Sequence, residues 1–171
     1  MLATKLHIPS RGVNLVHRPK FEKLNEGIHR KLILISAPAG FGKTTVLSDW
    51  IEQTKTPTAW YSIDKRDNDP TEFLNYFIAG IQNIKSDFGL KCRQLLDAPQ
   101  KPNTETIAGL LINDALQIEY DFLVVFDDFH LIESTEVIDI FKFLLEHSPP
   151  QMHLVISTRS DPTLPMARLR S

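Results

Sequence analysis

An apolar run, a glycine-containing loop and a helical pattern follow one another near the start of the chain. The apolar run covers 32–35, the loop covers 36–42, and apolar residues at helical spacing begin at Val46. This order predicts a strand that turns sharply into a helix, with glycine where the backbone must leave its usual conformations. It constrains the fold more than any other part of the sequence, because a strand–loop–helix unit favours alternating α/β structure.

The loop has the composition of a phosphate-binding loop, in which backbone N–H groups converge on an anion at a helix N-terminus. Lys43 can reach phosphate oxygens, and the Thr44 hydroxyl can ligate Mg²⁺. Ala37 stands where the strict pattern has its first glycine, so an ordinary strand–helix turn is the alternative. The candidate nucleotide-binding residues of the loop are Pro38, Ala39, Gly40, Phe41, Gly42, Lys43, Thr44 and Thr45.

Further strands alternate with helices along the chain. After the first strand at 31–36, apolar or β-branched runs predict strands at 58–63, 122–126 and 153–158. Candidate N-caps at Asp69, Asn103 and Ser134 predict helix starts, and a short helix is expected at 90–96. The first strand is apolar throughout, so we expect it to be buried on both faces. Strands and helices in alternation predict a parallel sheet covered on both faces.

Three of the predicted strands end in polar residues, which a parallel sheet would bring to one edge. Asp127 and Asp128 follow an apolar run, as in a Walker B strand, where the first carboxylate holds Mg²⁺ and the second activates water. The alternative is a pair of aspartates that ends a strand. Arg159 closes the last strand and could read a γ-phosphate, or could be a surface arginine. His130 is either a hydrogen-bonded turn histidine or a site residue.

The composition excludes several classes of function. A net charge of −2 gives no support for a nucleic-acid-binding surface, and no apolar run is long enough to cross a membrane. The single cysteine, Cys92, has no disulfide partner, and the histidines lack zinc-ligand spacing. We therefore expect a cytoplasmic protein. Asp64, Asp67 and Asp69 could form a cation loop, but a solvated turn is the preferred interpretation.

Taken in order, several stretches resemble the MalT-like ATP-dependent regulators of the LuxR group, which belong to the signal-transduction ATPases with numerous domains (STAND). The stretches are residues 4–6 with 18–19, the loop APAGFGKTT at 37–45, residues 60–64 with 67–69, FDDFHLI at 126–132, and residues 157–162 with 169–170. Each motif alone has modest specificity, whereas the ordered set spans the whole chain.

The resemblance implies a P-loop NTPase fold, an α/β three-layer sandwich whose parallel sheet has the strand order 5-1-4-3-2. It implies that Val16 and Arg18 line the adenine side, that Arg159 is a sensor arginine, and that ATP and ADP with Mg²⁺ are the cofactors. Thr44 and Asp127 would be the metal ligands, and Lys43, Asp128 and Arg159 would form the catalytic set. The resemblance also implies a switch that ADP holds inactive.

We expect residues 1–30 to form an arm and short helix lining the nucleotide site, and residues 31–171 to form the P-loop core. Because the family continues much further, the core is expected to be truncated before its fifth strand, which leaves the first strand at an edge and favours self-association. The predicted function is an ATP/ADP-binding, slowly hydrolysing switch that binds neither nucleic acid nor membrane by itself. A small-molecule P-loop kinase and an interaction module without nucleotide are the alternatives.

Overall fold

The computed structural model describes residues 1–10, 20–100 and 102–159, so the expectations for Val16 and Arg18 lie outside the described residues. The strands are β1 (Leu32–Ser36), β2 (Thr58–Ser62), β3 (Phe122–Asp127) and β4 (Met152–Thr158). The α-helices are α1 (Lys20–Gly27), α2 (Lys43–Thr54), α3 (Pro70–Gln82), α4 (Leu90–Leu96), α5 (Thr104–Ala115) and α6 (Thr135–His147). Short 3₁₀ turns cover Ala3–Leu6, Lys65–Asn68 and Phe129–Leu131.

The four described strands form one sheet in the order β1-β4-β3-β2, and every neighbouring pair is parallel. This arrangement confirms the predicted α/β fold, including the order of these four strands. Ser36 is in register with Thr158, and Ser62 is in register with Asp127. The carboxyl ends of all four strands therefore meet at one edge, where ligands bind in sheets of this kind.

Helices cover both faces of the sheet, which confirms the three-layer sandwich. Alternate side chains of β3 point to opposite faces. Val124 and Phe126 join the larger core with α3 to α6, whereas Leu123 and Val125 join a smaller core with α1 and α2. The Phe126 ring lies 5.2–6.2 Å from five aromatic rings, so it organises the larger core. None of the described helices is long and apolar enough to span a membrane.

Strand β1 lies at one end of the described sheet, and its neighbour there is β4. Ile33 is buried, but Leu32, Leu34 and Ile35 are only half-buried and Ser36 is exposed. The expectation that this strand is buried on both faces is therefore wrong, whereas it does lie at an edge among the described strands, as expected. The partial exposure of β1 comes from its place in the sheet, because a strand at the end of the described sheet has one neighbouring strand fewer to cover its side chains.

The predicted helix starts are confirmed by their caps. The side chains of Asp69, Asn103 and Ser134 each accept a hydrogen bond from the backbone N–H three residues later, at 2.9, 2.7 and 3.4 Å. Pro70 occupies the first helical position of α3, where its missing N–H costs nothing. Local capping chemistry thus decides where α3, α5 and α6 begin.

The first ten residues are not simply an extended arm, because Ala3–Leu6 form a 3₁₀ turn that packs against β2 and α3. Lys5 is buried there, and its Nζ donates to Asp67 Oδ1 at 2.6 Å. The prediction of a solvated turn at 64–69 is therefore wrong for Asp67, whose side chain is 0% exposed. Its carboxylate also accepts the Asp64 N–H at 2.7 Å, which closes a capping box on the Lys65–Asn68 turn.

Candidate functional site

The loop between β1 and α2 has a backbone that requires glycine at two positions. Gly40 and Gly42 have φ values of 82° and 69°, in the left-handed region that other residues rarely adopt. A Cβ atom at either position would meet no described atom within 4 Å. Glycine is therefore favoured at these two positions by the backbone conformation, and not by a lack of room for a side chain. The Ala37 N–H donates to the Thr158 carbonyl at 3.2 Å, which ties the start of the loop to the end of β4.

Helix α2 begins directly after this loop, with Gly42 as its N-cap. Glycine has no side-chain acceptor, so the N–H groups of the first turn are not capped by the residue that usually caps them. The Lys43 side chain is buried and turns back over the loop, where Nζ donates to the carbonyls of Ala37 at 2.7 Å and Pro38 at 3.1 Å. An ammonium group and a helix N-terminus therefore lie together at this edge of the sheet.

Asp127, the last residue of β3, is the centre of a hydrogen-bond network. Its Oδ2 accepts from the Thr44 hydroxyl at 2.8 Å, which joins the start of α2 to the end of β3. Its Oδ1 accepts from the Ser157 hydroxyl and from the Asp128 N–H, the latter at 3.1 Å. The Asp127 side chain is buried, and the oxygens of Thr44 and Asp127 are the kind of ligand that Mg²⁺ prefers.

Ser157 was not among the predicted site residues, although it is buried in β4 and opens the family-like stretch at 157–162. Its hydroxyl also accepts the Asp128 N–H at 3.1 Å, so it holds both aspartates at the end of β3. Its position next to the predicted end of β4 was the available signal, because side chains at that edge of a parallel sheet converge.

Asp128 and His130 lie side by side after β3. Asp128 has a left-handed backbone (φ 58°, ψ 38°), and its carboxylate oxygen lies 3.8 Å from His130 Nδ1. The His130 side chain is 14% exposed, and neither ring nitrogen has a hydrogen-bond partner among the described residues, so it is not a hydrogen-bonded turn histidine there. Burial lowers the pKa of His130; Asp128 and Asp127 oppose this shift, whereas Arg159 and Lys43 reinforce it.

Arg159 directly follows β4 and is exposed to solvent. It is close enough to His130 to influence that ring electrostatically. The structure thus brings the 37–45 loop, Asp127, Asp128 and Arg159 to one edge of the sheet. The two residues predicted on the adenine side, Val16 and Arg18, belong to the part of the chain that is not described.

Comparison with known proteins places the chain beside a set of bacterial regulators. No protein-family model matches it. It is 32% identical over 170 residues to the HTH-type transcriptional regulator MalT of Vibrio cholerae, a match that covers 99% of this chain and 19% of that protein. MalT of Klebsiella pneumoniae is also 32% identical, over 171 residues and with the same coverage. The chain spans about a fifth of the length of these relatives.

Among solved structures, a chain in the structure of Drosophila ORC bound to AT-rich DNA and Cdc6 is similar, with a TM-score of 0.51. The match covers 82% of this chain and 44% of that chain, at 14% sequence identity. At that identity the likeness concerns the fold alone.

Proposed function

Because this chain is a homologue of the MalT transcriptional regulators along 19% of their length, we propose that it is an ATP/ADP-binding switch domain of a regulator of that type. The proposal includes the finer assignments to the LuxR group and to the STAND ATPases. It also includes Walker A and Walker B roles for the 37–45 loop and the end of β3.

One observation carries the proposal, namely the contact between Thr44 and Asp127. The two residues are 83 positions apart, yet the hydroxyl and the carboxylate are joined at 2.8 Å at the start of α2. A magnesium-bound phosphate needs this pairing, because the hydroxyl and the carboxylate supply oxygen ligands beside a helix N-terminus that attracts the anion.

The neighbouring residues would each contribute to binding. Backbone N–H groups of the loop would donate to phosphate oxygens, and the Lys43 ammonium would turn from the Ala37 and Pro38 carbonyls toward the β- and γ-phosphates. Mg²⁺, held by Thr44 and Asp127, would supply positive charge to the same oxygens. Val16 and Arg18 are proposed for the adenine side.

Hydrolysis would depend on the residues after β3 and β4. The Asp128 carboxylate would accept a proton from the attacking water, and the Arg159 guanidinium would offset charge that develops on the γ-phosphate. Ser157 would keep the Asp128 backbone in place through the hydrogen bond from its N–H. We propose slow turnover, because a switch benefits from a bound state that persists.

Isothermal titration of Mg·ATP and Mg·ADP into the wild-type chain and into Lys43→Ala tests the proposal. Hydrogen bonds to charged groups contribute about 1.5–3 kcal/mol, so Lys43→Ala should weaken Mg·ATP binding roughly 10- to 150-fold. Lys142→Ala is the matched control, because Lys142 lies on α6 and pairs with Asp139 at 3.0 Å, outside the 37–45 loop and the strand ends. Absence of nucleotide binding by the wild-type chain would refute the proposal.

A further inference from the structure

The Asn68 side chain joins the turn after β2 to the segment after β3. We propose that Asn68 is a positioning residue that holds the Asp128 turn in place, and that the Lys5–Asp67 ion pair fixes Asn68 in turn. The inference rests on the proposed function, because it assigns to Asp128 a role in ATP hydrolysis. It adds a residue that belongs to neither the phosphate loop nor the strand ends.

Asn68 uses its complete set of hydrogen bonds. The Nδ2 group donates to the Leu131 carbonyl at 2.9 Å and to the Lys65 carbonyl at 3.1 Å. The Oδ1 atom accepts the backbone N–H groups of Glu133 and Ser134, both at 2.7 Å. The two N–H groups require an acceptor, so the amide can take only this orientation. Three of the four bonds reach the segment that connects β3 to α6.

That segment carries the candidate hydrolytic residues. It starts at Asp128, whose left-handed backbone costs free energy for a residue with a Cβ atom, although aspartate adopts it more readily than most. At the start of the segment, the Asp128 N–H is held by Asp127 and Ser157. The Leu131 N–H returns to the Asp128 carbonyl at 3.0 Å, and Asn68 fixes the other side of Leu131. Asn68 therefore holds the far end of the turn.

Asn68 belongs to the Lys65–Asn68 turn, which is bound to the N-terminal residues of the chain through Lys5. The neighbouring Asp67 is fully buried and accepts from Lys5 Nζ at 2.6 Å and from the Asp64 N–H at 2.7 Å. Lys5 Nζ also lies 4.2 Å from the centre of the Tyr76 ring, a distance typical of a cation–π contact. Contacts thus run without a break from residue 5 to Asp128, through the Lys65–Asn68 turn.

A positioning role and a purely structural role predict different measurements. If Asn68 only stabilises the fold, its removal lowers the unfolding midpoint and leaves the kinetics of the folded fraction unchanged. If it positions Asp128, its removal lowers the hydrolysis rate at saturating Mg·ATP, because small displacements of a catalytic group can reduce rates by about 10²-fold. Mg·ADP binding should not change, since Asn68 contacts no part of the 37–45 loop in the hydrogen bonds given above.

The test compares the 171-residue wild-type chain with Asn68→Ala, Asn68→Asp and the control Asn83→Ala, which removes an exposed amide after α3. Phosphate release gives kcat, titration gives the Kd for Mg·ADP, and hydrogen exchange reports on the amides of residues 128–134. We expect Asn68→Ala to lower kcat at least about 10-fold, with the Mg·ADP Kd within about 2-fold and faster exchange at 128–134. Asn68→Asp keeps the acceptor for Glu133 and Ser134 and should lose less rate.

An unchanged kcat in Asn68→Ala, or an equal loss of kcat and Mg·ADP binding, would overturn the positioning role while leaving the proposed function intact. A wild-type chain that binds no nucleotide would instead overturn the proposed function, and with it the role in hydrolysis. The two failures are distinct, because the first appears only in the variant and the second appears already in the wild type.

Discussion

The buried ion pair between Lys5 and Asp67 offers the sharpest test of how the N-terminal turn is held. We consider Lys5→Met, which keeps the length of the side chain and removes its charge. Asp67 is 0% exposed, so the substitution leaves a carboxylate in the core without its cation. Removing one partner of a buried pair typically costs about 3–5 kcal/mol.

The structure places the expected loss at the lower end of that range. Asp67 keeps the hydrogen bond from the Asp64 N–H at 2.7 Å, which offsets part of the cost of a buried carboxylate without its cation. We therefore expect a loss of about 3 kcal/mol in the free energy of unfolding, roughly a 150-fold change in the ratio of folded to unfolded chains. Adding Asp67→Asn, which removes the charge and retains the acceptor, should restore part of the loss.

Urea unfolding followed by tryptophan fluorescence is the assay, because Trp50 and Trp60 are both completely buried and report on the folded core. Lys142→Met is the matched control: its ion pair with Asp139 has side chains 34% and 63% exposed, and such pairs contribute less than about 1 kcal/mol. If Lys5→Met destabilised the protein no more than Lys142→Met, the reasoning from burial would be refuted.

Two further predictions concern titratable side chains. Because the pKa of His130 is lowered, its contribution to stability is present above about pH 6.5 and is lost as the pH falls through the folded-state pKa. The urea midpoint should thus fall less between pH 7.5 and 5.5 in His130→Gln than in the wild type, and equal falls would contradict this. Burial, together with the charge of Asp114, raises the pKa of the Cys92 thiol to about 11. A disulfide reagent at pH 8 should therefore modify Cys92 only in unfolded chains, and rapid modification of the native protein would contradict its burial.

The sequence predicted those features whose signals lie in neighbouring residues. Asp69 and Asn103 cap helices by bonds to the third following N–H, so the start of each helix can be read within four positions. The position of the candidate site could be predicted from one topological rule, because polar residues at the carboxyl ends of parallel strands lie at the same edge of the sheet. The contact between Thr44 and Asp127 needed no further information than this rule and the two motifs.

The sequence could not predict which distant segments contact one another, even where those segments resemble stretches of the family. Lys5 and Asp67 are 62 positions apart, and an aspartate in a charged run normally lies in solvent. Asn68 likewise gives no local sign that it binds the segment at 131–134. The prediction for the burial of β1 failed for a related reason. An apolar run indicates that a strand tends to be buried, but it does not show how many strands lie beside it.

The strand order also determines when strand β1 can pair with its neighbour during synthesis. Strand β1 ends at Ser36, and its described partner β4 begins at Met152, 116 residues later. At about 5–20 residues per second, the ribosome needs roughly 6–23 s to make this stretch. Throughout that interval the backbone of Leu-Ile-Leu-Ile lacks β4, its partner among the described strands, and unpaired apolar edges recruit other chains. We therefore expect β1 to be open to contacts with other chains until β4 has been synthesised.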